Sequence, residues 1–196
     1  MSTALPRIEK PLSPGARREL VKLARQALQA YVLGEPPPRP EITQPELLEP
    51  RGAFVTLREQ GQLRGCIGTL ETERPLYETV IEMAGAAALR DPRFLPVTPE
   101  ELEDIEIEIS VLTPFVEVTD VNDIVIGVHG LHVRQGGRAG LLLPQVAVEW
   151  GWNREEFLRQ TCRKAGLPPD AWQRGAEIRA FSADIIEEKE AEDPDQ

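Results

Sequence analysis

The residue types able to do chemistry are scarce in this chain, which has two cysteines, Cys66 and Cys162, and two histidines, His129 and His132. Cys66 sits in the run LRGCIGTL, residues 63–70, with Arg64 two positions before it and Gly65 and Gly68 around it. Read as a strand, period two puts Arg64 and Cys66 on one face. A guanidinium beside a thiol favours the thiolate. On one reading, then, Cys66 is a nucleophile or redox thiol, Arg64 lowers its pKa, and His129 moves the proton. On the other, Cys66 is a small hydrophobe packed in a strand. The glycines leave the backbone open to close approach by another group. Zinc finds suitable ligand types in Cys66, Cys162, His129 and His132, but neither cysteine has a partner at the short spacing of structural sites. His129 and His132 also diverge if their segment is extended, so no metal site is expected.

Two further groups invite two readings each. Asp91-Pro92-Arg93-Phe94 is either a helix stop with a surface ion pair and a buried Phe94, or a rigid turn at a pocket rim whose Asp91 and Arg93 hold a polar ligand. Gln145, just past a strand, offers a bidentate amide or caps a local turn. The carboxylates between Glu100 and Glu108 read as a helix cap and a solvated strand face. No glycine-rich stretch matches a nucleotide loop, and no G-x-S-x-G elbow occurs. No cofactor follows from these residues.

The chain has 196 residues, enough for one domain or one domain with a small subdomain. Its net charge of −11 disfavours binding to phosphate backbones, and with it an RNA-binding reading. No apolar run reaches the roughly 18 residues of a membrane span, and residues 1–14 lack the apolar core of a secretory signal. Two cysteines make no disulfide framework, which points to reduced thiols and a cytoplasmic location.

The elements that must position these groups follow from periodicity and punctuation. Ser13-Pro14 opens a helix whose apolar stripe runs to Tyr31 and which Gly34 ends. EPPPRPE is an extended connector, and irregular chain is expected up to Pro50. Residues 52–58 and 63–70 are two strands of a hairpin turning at Gln60-Gly61, which sets Cys66 opposite Val55 and Arg64 opposite Leu57. Pro75 starts a helix with a buried stripe of Leu76, Val80, Met83, Ala84 and Ala87, and Pro92 stops it at Asp91. Thr98-Pro99-Glu100-Glu101 announces a short helix. From Ile105 to Val111, apolar and polar residues alternate as in a strand with one wet face. Short strands are expected at 116–118, 125–127, 131–134 and 141–143, the last two joined through 136–140. A helix capped by Asn153 and Glu156 runs to Gly166, a helical turn covers 168–173, and 177–186 is one last strand. The predicted fold is α+β, with a mixed, largely antiparallel sheet flanked by helices.

Taken in order, GAFVTL, LRGCIGTL, AAALRDPRF, IEISVLTP, IGVHGL, LLLPQVA and EFLRQTCRKAGL resemble the AMMECR domain family. LRGCIG is that family's six-residue signature. The prokaryotic members are called AmmeMemoRadiSam system protein A. The resemblance covers residues 12 to 186. It implies a larger and a smaller subdomain over those residues, and outside them residues 1–11 are expected to be a flexible N-terminus and the acidic run 187–196 a disordered tail. It places LRGCIG near the groove between the subdomains and implies no established activity. It marks Arg64, Gly65, Cys66, Gly68, Asp91, Arg93, Phe94, His129, Gly130, Pro144, Gln145 and Lys164 as positions of interest. As partners it implies a Memo-type protein and a radical SAM enzyme. Cys66 and His129 are thus the candidate catalytic pair, and Arg64, Gly65, Gly68, Asp91, Arg93, Gln145 and Lys164 the candidate binding residues. Their ligand would be a small polar molecule or a peptide; the alternative is a non-enzymatic scaffold for those partners.

Overall fold

A computed structural model of the protein describes residues 5–6, 11–70 and 72–192. The fold is α+β, and the strands divide into two four-stranded sheets. Two compact units hold one sheet each: residues 11–112 with 184–192, and residues 113–183 with Leu5 and Pro6.

The first unit starts with helix α1 (Pro14–Leu33). Its Ser13 side chain accepts the Ala16 N–H, and Gly34 closes it in the left-handed conformation. The proline-rich connector follows. Chain expected to be irregular then makes one short helix, α2 (Pro45–Leu48), anchored by the fully buried Leu47. Strands β1 (Ala53–Glu59) and β2 (Gln62–Thr69) turn at Gln60 and Gly61, both at positive φ, as two-residue hairpins require. Helix α3 (Leu76–Leu89) carries the expected stripe and is buried well beyond it, because α1 packs on one side and the sheet on the other. The capping box Thr98–Glu101 forms, over a single 3-10 turn. Strand β3 (Ile105–Leu112) pairs with β1, Val55 opposite Ile109 and Leu57 opposite Ile107.

Ile105, Ile107, Ile109 and Val111 point into the core under α1 and α3, as their alternation predicts. The opposite face is not wholly wet: Thr56 and Ser110 on it are buried. The sheet order is β2-β1-β3-β8, which leaves β2 at an edge.

The second unit contains β4 (Val116–Glu117), β5 (Gly130–Gln135), β6 (Arg138–Leu142), helix α4 (Pro144–Glu149), helix α5 (Arg154–Lys164) and β7 (Glu177–Phe181), in the sheet order β4-β7-β5-β6. Its core gathers Leu131, Val133, Phe157, Leu158, Cys162 and Ile178. The strand expected at 125–127 is a turn instead. The single strand expected over 177–186 breaks at Ser182 into β7 and β8 (Ala183–Glu187), which belong to different sheets. The tail expected to be disordered from residue 187 begins as a helix, α6 (Glu188–Glu192), because Glu188 is buried and paired with Arg25. Residues 193–196, and most of the stretch 1–11 expected to be flexible, lie outside the described residues.

Candidate functional site

LRGCIG forms most of β2, and a bulge decides what each of its residues does. Arg58 pairs with Leu63 as the turn dictates, but Leu57 pairs with Gly65, so Arg64 is the extra residue. Every pairing beyond it moves by one. Cys66 therefore faces Thr56, not Val55, and Leu57 faces Gly65, not Arg64. Period two no longer carries Arg64 to the thiol. Its guanidinium reaches Glu101 instead, with Nε 2.7 Å from Oε1, and donates to the Leu95 carbonyl at 3.0 Å. Arg64 thus holds the chain that follows α3, and holds Glu101 below the usual carboxylate range.

The two glycines are approached closely, as expected, but by the protein itself. A Cβ on Gly65 would lie 2.3 Å from the Ala87 carbonyl oxygen of α3. A Cβ on Gly68 would meet the Phe54 ring at the same distance, 2.3 Å. Ile67 packs on the core between them.

Cys66 is held through its backbone. Its N–H donates to Asp91 Oδ2 at 2.9 Å, and its carbonyl accepts from Arg93 Nη2 at 3.3 Å. Asp91 and Arg93 are themselves joined by a two-pronged ion pair, Nε to Oδ1 at 3.0 Å and Nη2 to Oδ2 at 2.7 Å. The turn that follows α3 thus satisfies the outward-pointing N–H and C=O of an edge strand with side chains, where a further strand would otherwise pair. The Asp91 side chain is only 2% exposed. Arg93 holds its carboxyl well below the usual carboxylate range, helped by the N–H groups of Cys66 and Arg93. Asp91 in turn raises the Arg93 pKa. The Arg93 guanidinium stands over the half-buried Phe94 ring, 5.4 Å from its centroid, with its outer side open to solvent.

The Cys66 thiol is half-buried and accepts the Thr56 hydroxyl proton at 3.3 Å. Burial pushes its pKa up. The Thr56 hydrogen bond and the Arg93 charge oppose this, while Asp91 and Glu108 add to it, and the balance stays on the neutral side. The expected activation by Arg64 is therefore corrected. Arg64 is engaged by Glu101, and the cation whose charge acts on the thiol, Arg93, is paired with its own carboxylate.

The remaining candidates belong to the second unit. His129 is buried, and its Nδ1 accepts the Val125 N–H at 3.0 Å, closing a turn whose other bond runs from His129 N–H to the Val125 carbonyl, also 3.0 Å. Nδ1 is therefore an acceptor, and the neutral ring carries its proton on Nε2. Gln145 lies in the first turn of α4 with Oε1 buried and no hydrogen-bond partner among the described residues. Lys164 ends α5, exposed. Cys162 is fully buried, which pushes its thiol pKa up. Among the described residues no three of His, Cys, Asp and Glu gather as a metal ion would need. None of the described helices is long and apolar enough to cross a membrane.

Thr56, Glu101 and Glu108 complete this neighbourhood and were not legible as site residues. Only Glu101 carried a signal, the capping box, and that signal points to a local role, since Glu101 Oε2 also accepts the Thr98 N–H at 2.7 Å.

A backbone arrangement so dependent on particular residues should recur in relatives, and comparison with known proteins finds them. The family model described as AMMECR1 matches residues 21–186. A protein of Methanothermobacter thermautotrophicus is 49% identical over 186 residues, which cover 91% of this chain and 97% of that one. A protein of Methanopyrus kandleri is 50% identical over 190 residues, 89% of each. The crystal structure of an uncharacterized protein from Pyrococcus horikoshii superimposes with a TM-score of 0.83 at 41% identity, covering 93% of both chains. Matched along most of its length in sequence and in structure, the chain belongs to the AMMECR1 family.

Proposed function

We propose that the protein is a binding domain that takes a small polar molecule or a peptide segment on the surface formed by β2 and the Asp91–Phe94 turn, and that Arg93, not Cys66, meets the ligand. One observation carries this reading: the Asp91 carboxylate sits between the Cys66 N–H and the Arg93 guanidinium. It fixes a cation whose outer side faces solvent, so little side-chain entropy remains to be lost when a carboxylate or carbonyl docks there. The thiol itself is pushed away from the thiolate that a nucleophile needs, chiefly by burial, and the Thr56 hydrogen bond and the Arg93 charge do not outweigh it. Leu95, 83% exposed and next along the same loop, favours a second reading in which the ligand is a segment of a larger partner such as a Memo-type or radical SAM protein.

Two measurements test the proposal. The rate of Cys66 alkylation by iodoacetamide, followed against pH, should rise with an apparent pKa above the roughly 8.5 of a free thiol. A value well below that would return Cys66 to the role of nucleophile. In a thermal-shift screen of metabolites and short peptides, a true ligand should raise the Tm of the native protein and of Cys66→Ser, and lose its effect in Arg93→Gln. Turnover of any such compound that vanishes in Cys66→Ser would overturn the binding-domain reading.

A further inference from the structure

A second concavity lies elsewhere in the first unit. It encloses about 820 Å³ between the last turns of α1, the proline-rich connector and the outer side of α3. That volume is within the range of small-molecule sites. Its floor is apolar. The Tyr31 ring lies directly on the backbone of α3 at Gly85, where a Cβ would come within 2.3 Å of it, and Ile81 and Leu89 extend the surface along the helix. Pro38 and Pro40 form one wall, and their ring-fixed φ angles keep that wall in shape without a ligand.

The rim is cationic in a chain whose net charge is −11. Three arginines face two glutamates there. Arg74, just before α3, and Arg90, at its end, share a single carboxylate: Glu82 pairs with Arg74 through Oε2 and with Arg90 through Oε1, the latter at 3.8 Å. Both guanidinium groups are mostly exposed, so each keeps donors free for something else. Arg39, on the connector, has no ion pair among the described residues. The other acid, Glu78, is engaged by the Tyr77 hydroxyl at 3.0 Å. An apolar floor beneath two guanidinium groups that share one carboxylate suits a ligand with the complementary division of polarity.

We propose that this groove binds a small amphipathic organic anion, its apolar body on Tyr31, Ile81 and Leu89 and its carboxylate or phosphate head between Arg74 and Arg90. Glu82 is then the built-in competitor: it holds the two guanidinium groups in place and occupies them until a stronger anion arrives.

The probe is 8-anilinonaphthalene-1-sulfonate, an aromatic anion whose fluorescence rises in apolar surroundings, titrated into the full-length protein. Saturable one-site binding is expected. Arg74→Ala and Arg90→Ala should each weaken it roughly tenfold, the loss of a charge-assisted contact. Glu82→Gln should strengthen it several-fold, a gain that general loosening of the fold would not confine to one site. Because the Arg74 and Arg90 side chains are largely exposed, the urea midpoints of those two variants should stay unchanged and thereby separate lost binding from lost folding. Phenyl phosphate and 3-phenylpropionate serve as competitors. Displacement by the first identifies a phosphate head, and displacement by the second a carboxylate. Non-saturable binding, indifference to all three substitutions, or displacement by neither anion would overturn the proposal. Iodoacetamide labelling of Cys66 should be unaffected by the probe, so this site and the one beside β2 stand or fall separately.

Discussion

Gly65 carries the most restrictive requirement in the LRGCIG run. Its α-carbon faces α3 so closely that a methyl group would collide with the Ala87 carbonyl, a backbone atom that cannot rotate away. Gly65→Ala should therefore destabilise the protein by about 1–3 kcal/mol, the ordinary cost of overpacking, or by more if α3 is forced off the sheet. A urea midpoint measured beside that of Gly61→Ala separates the two causes. Gly61 has open space around it, so its substitution costs only the strain of a positive φ. Equal losses at the two positions would show that helix contact is not what selects glycine at 65. Cys66, the next residue of the motif, is defined less by its own sulfur than by what grips its backbone.

Among the elements, β2 is the vulnerable one, an edge strand with its outer N–H and C=O directed away from β1. The Asp91–Arg93 pair closes that edge at Cys66, and Arg64 closes it further along by binding the Leu95 carbonyl and Glu101. Asp91→Ala would leave the Cys66 N–H without its acceptor and remove both prongs of the Arg93 pair, a loss of about 2–3 kcal/mol. Hydrogen exchange at the Cys66 amide should accelerate well beyond that of its neighbours. The pH dependence follows from the sign of the shift. The folded-state pKa of Asp91 lies below its unfolded value of about 3.9, so its contribution is fully present above that value and drains away as pH falls further below it. Protection of the Cys66 amide should accordingly hold from neutral pH down to about pH 4 and fall below it. Loss of protection already near pH 6 would mean that another group controls the edge.

In the molecule as a whole, the chain leaves the first unit after Leu112 and returns to it at Asp184. Two carboxylates secure the return. Asp184 accepts the Leu12 N–H at 2.9 Å and pairs with Arg17, while Glu188 receives Arg25 Nε at 2.7 Å and the Ile107 N–H at 3.1 Å. Because Arg25 also donates to the Leu102 and Ile105 carbonyls, Glu188 joins α1, β3 and α6 at one point. Glu188→Ala should cost about 3 kcal/mol, as expected when one partner of a largely buried pair is removed, and truncation after Glu187 should cost as much by calorimetry. If truncation proves harmless, the acidic end of the chain is ornamental after all. By itself the sequence determined much of what neighbours in the chain set: the Ser13 cap, the Gln60-Gly61 turn, the alternation of β3, the stripe of α3, the α+β class and the family. These were legible because capping, turn geometry and periodicity act over a few residues. Only the tertiary structure decided the bulge at Arg64, the break at Ser182 that sends β7 and β8 to different sheets, and the pairing of Glu188. The thiol's surroundings belong with these. Thr56, Asp91, Arg93 and Glu108 come from other parts of the chain, and burial, the largest influence on Cys66, exists only once they have assembled.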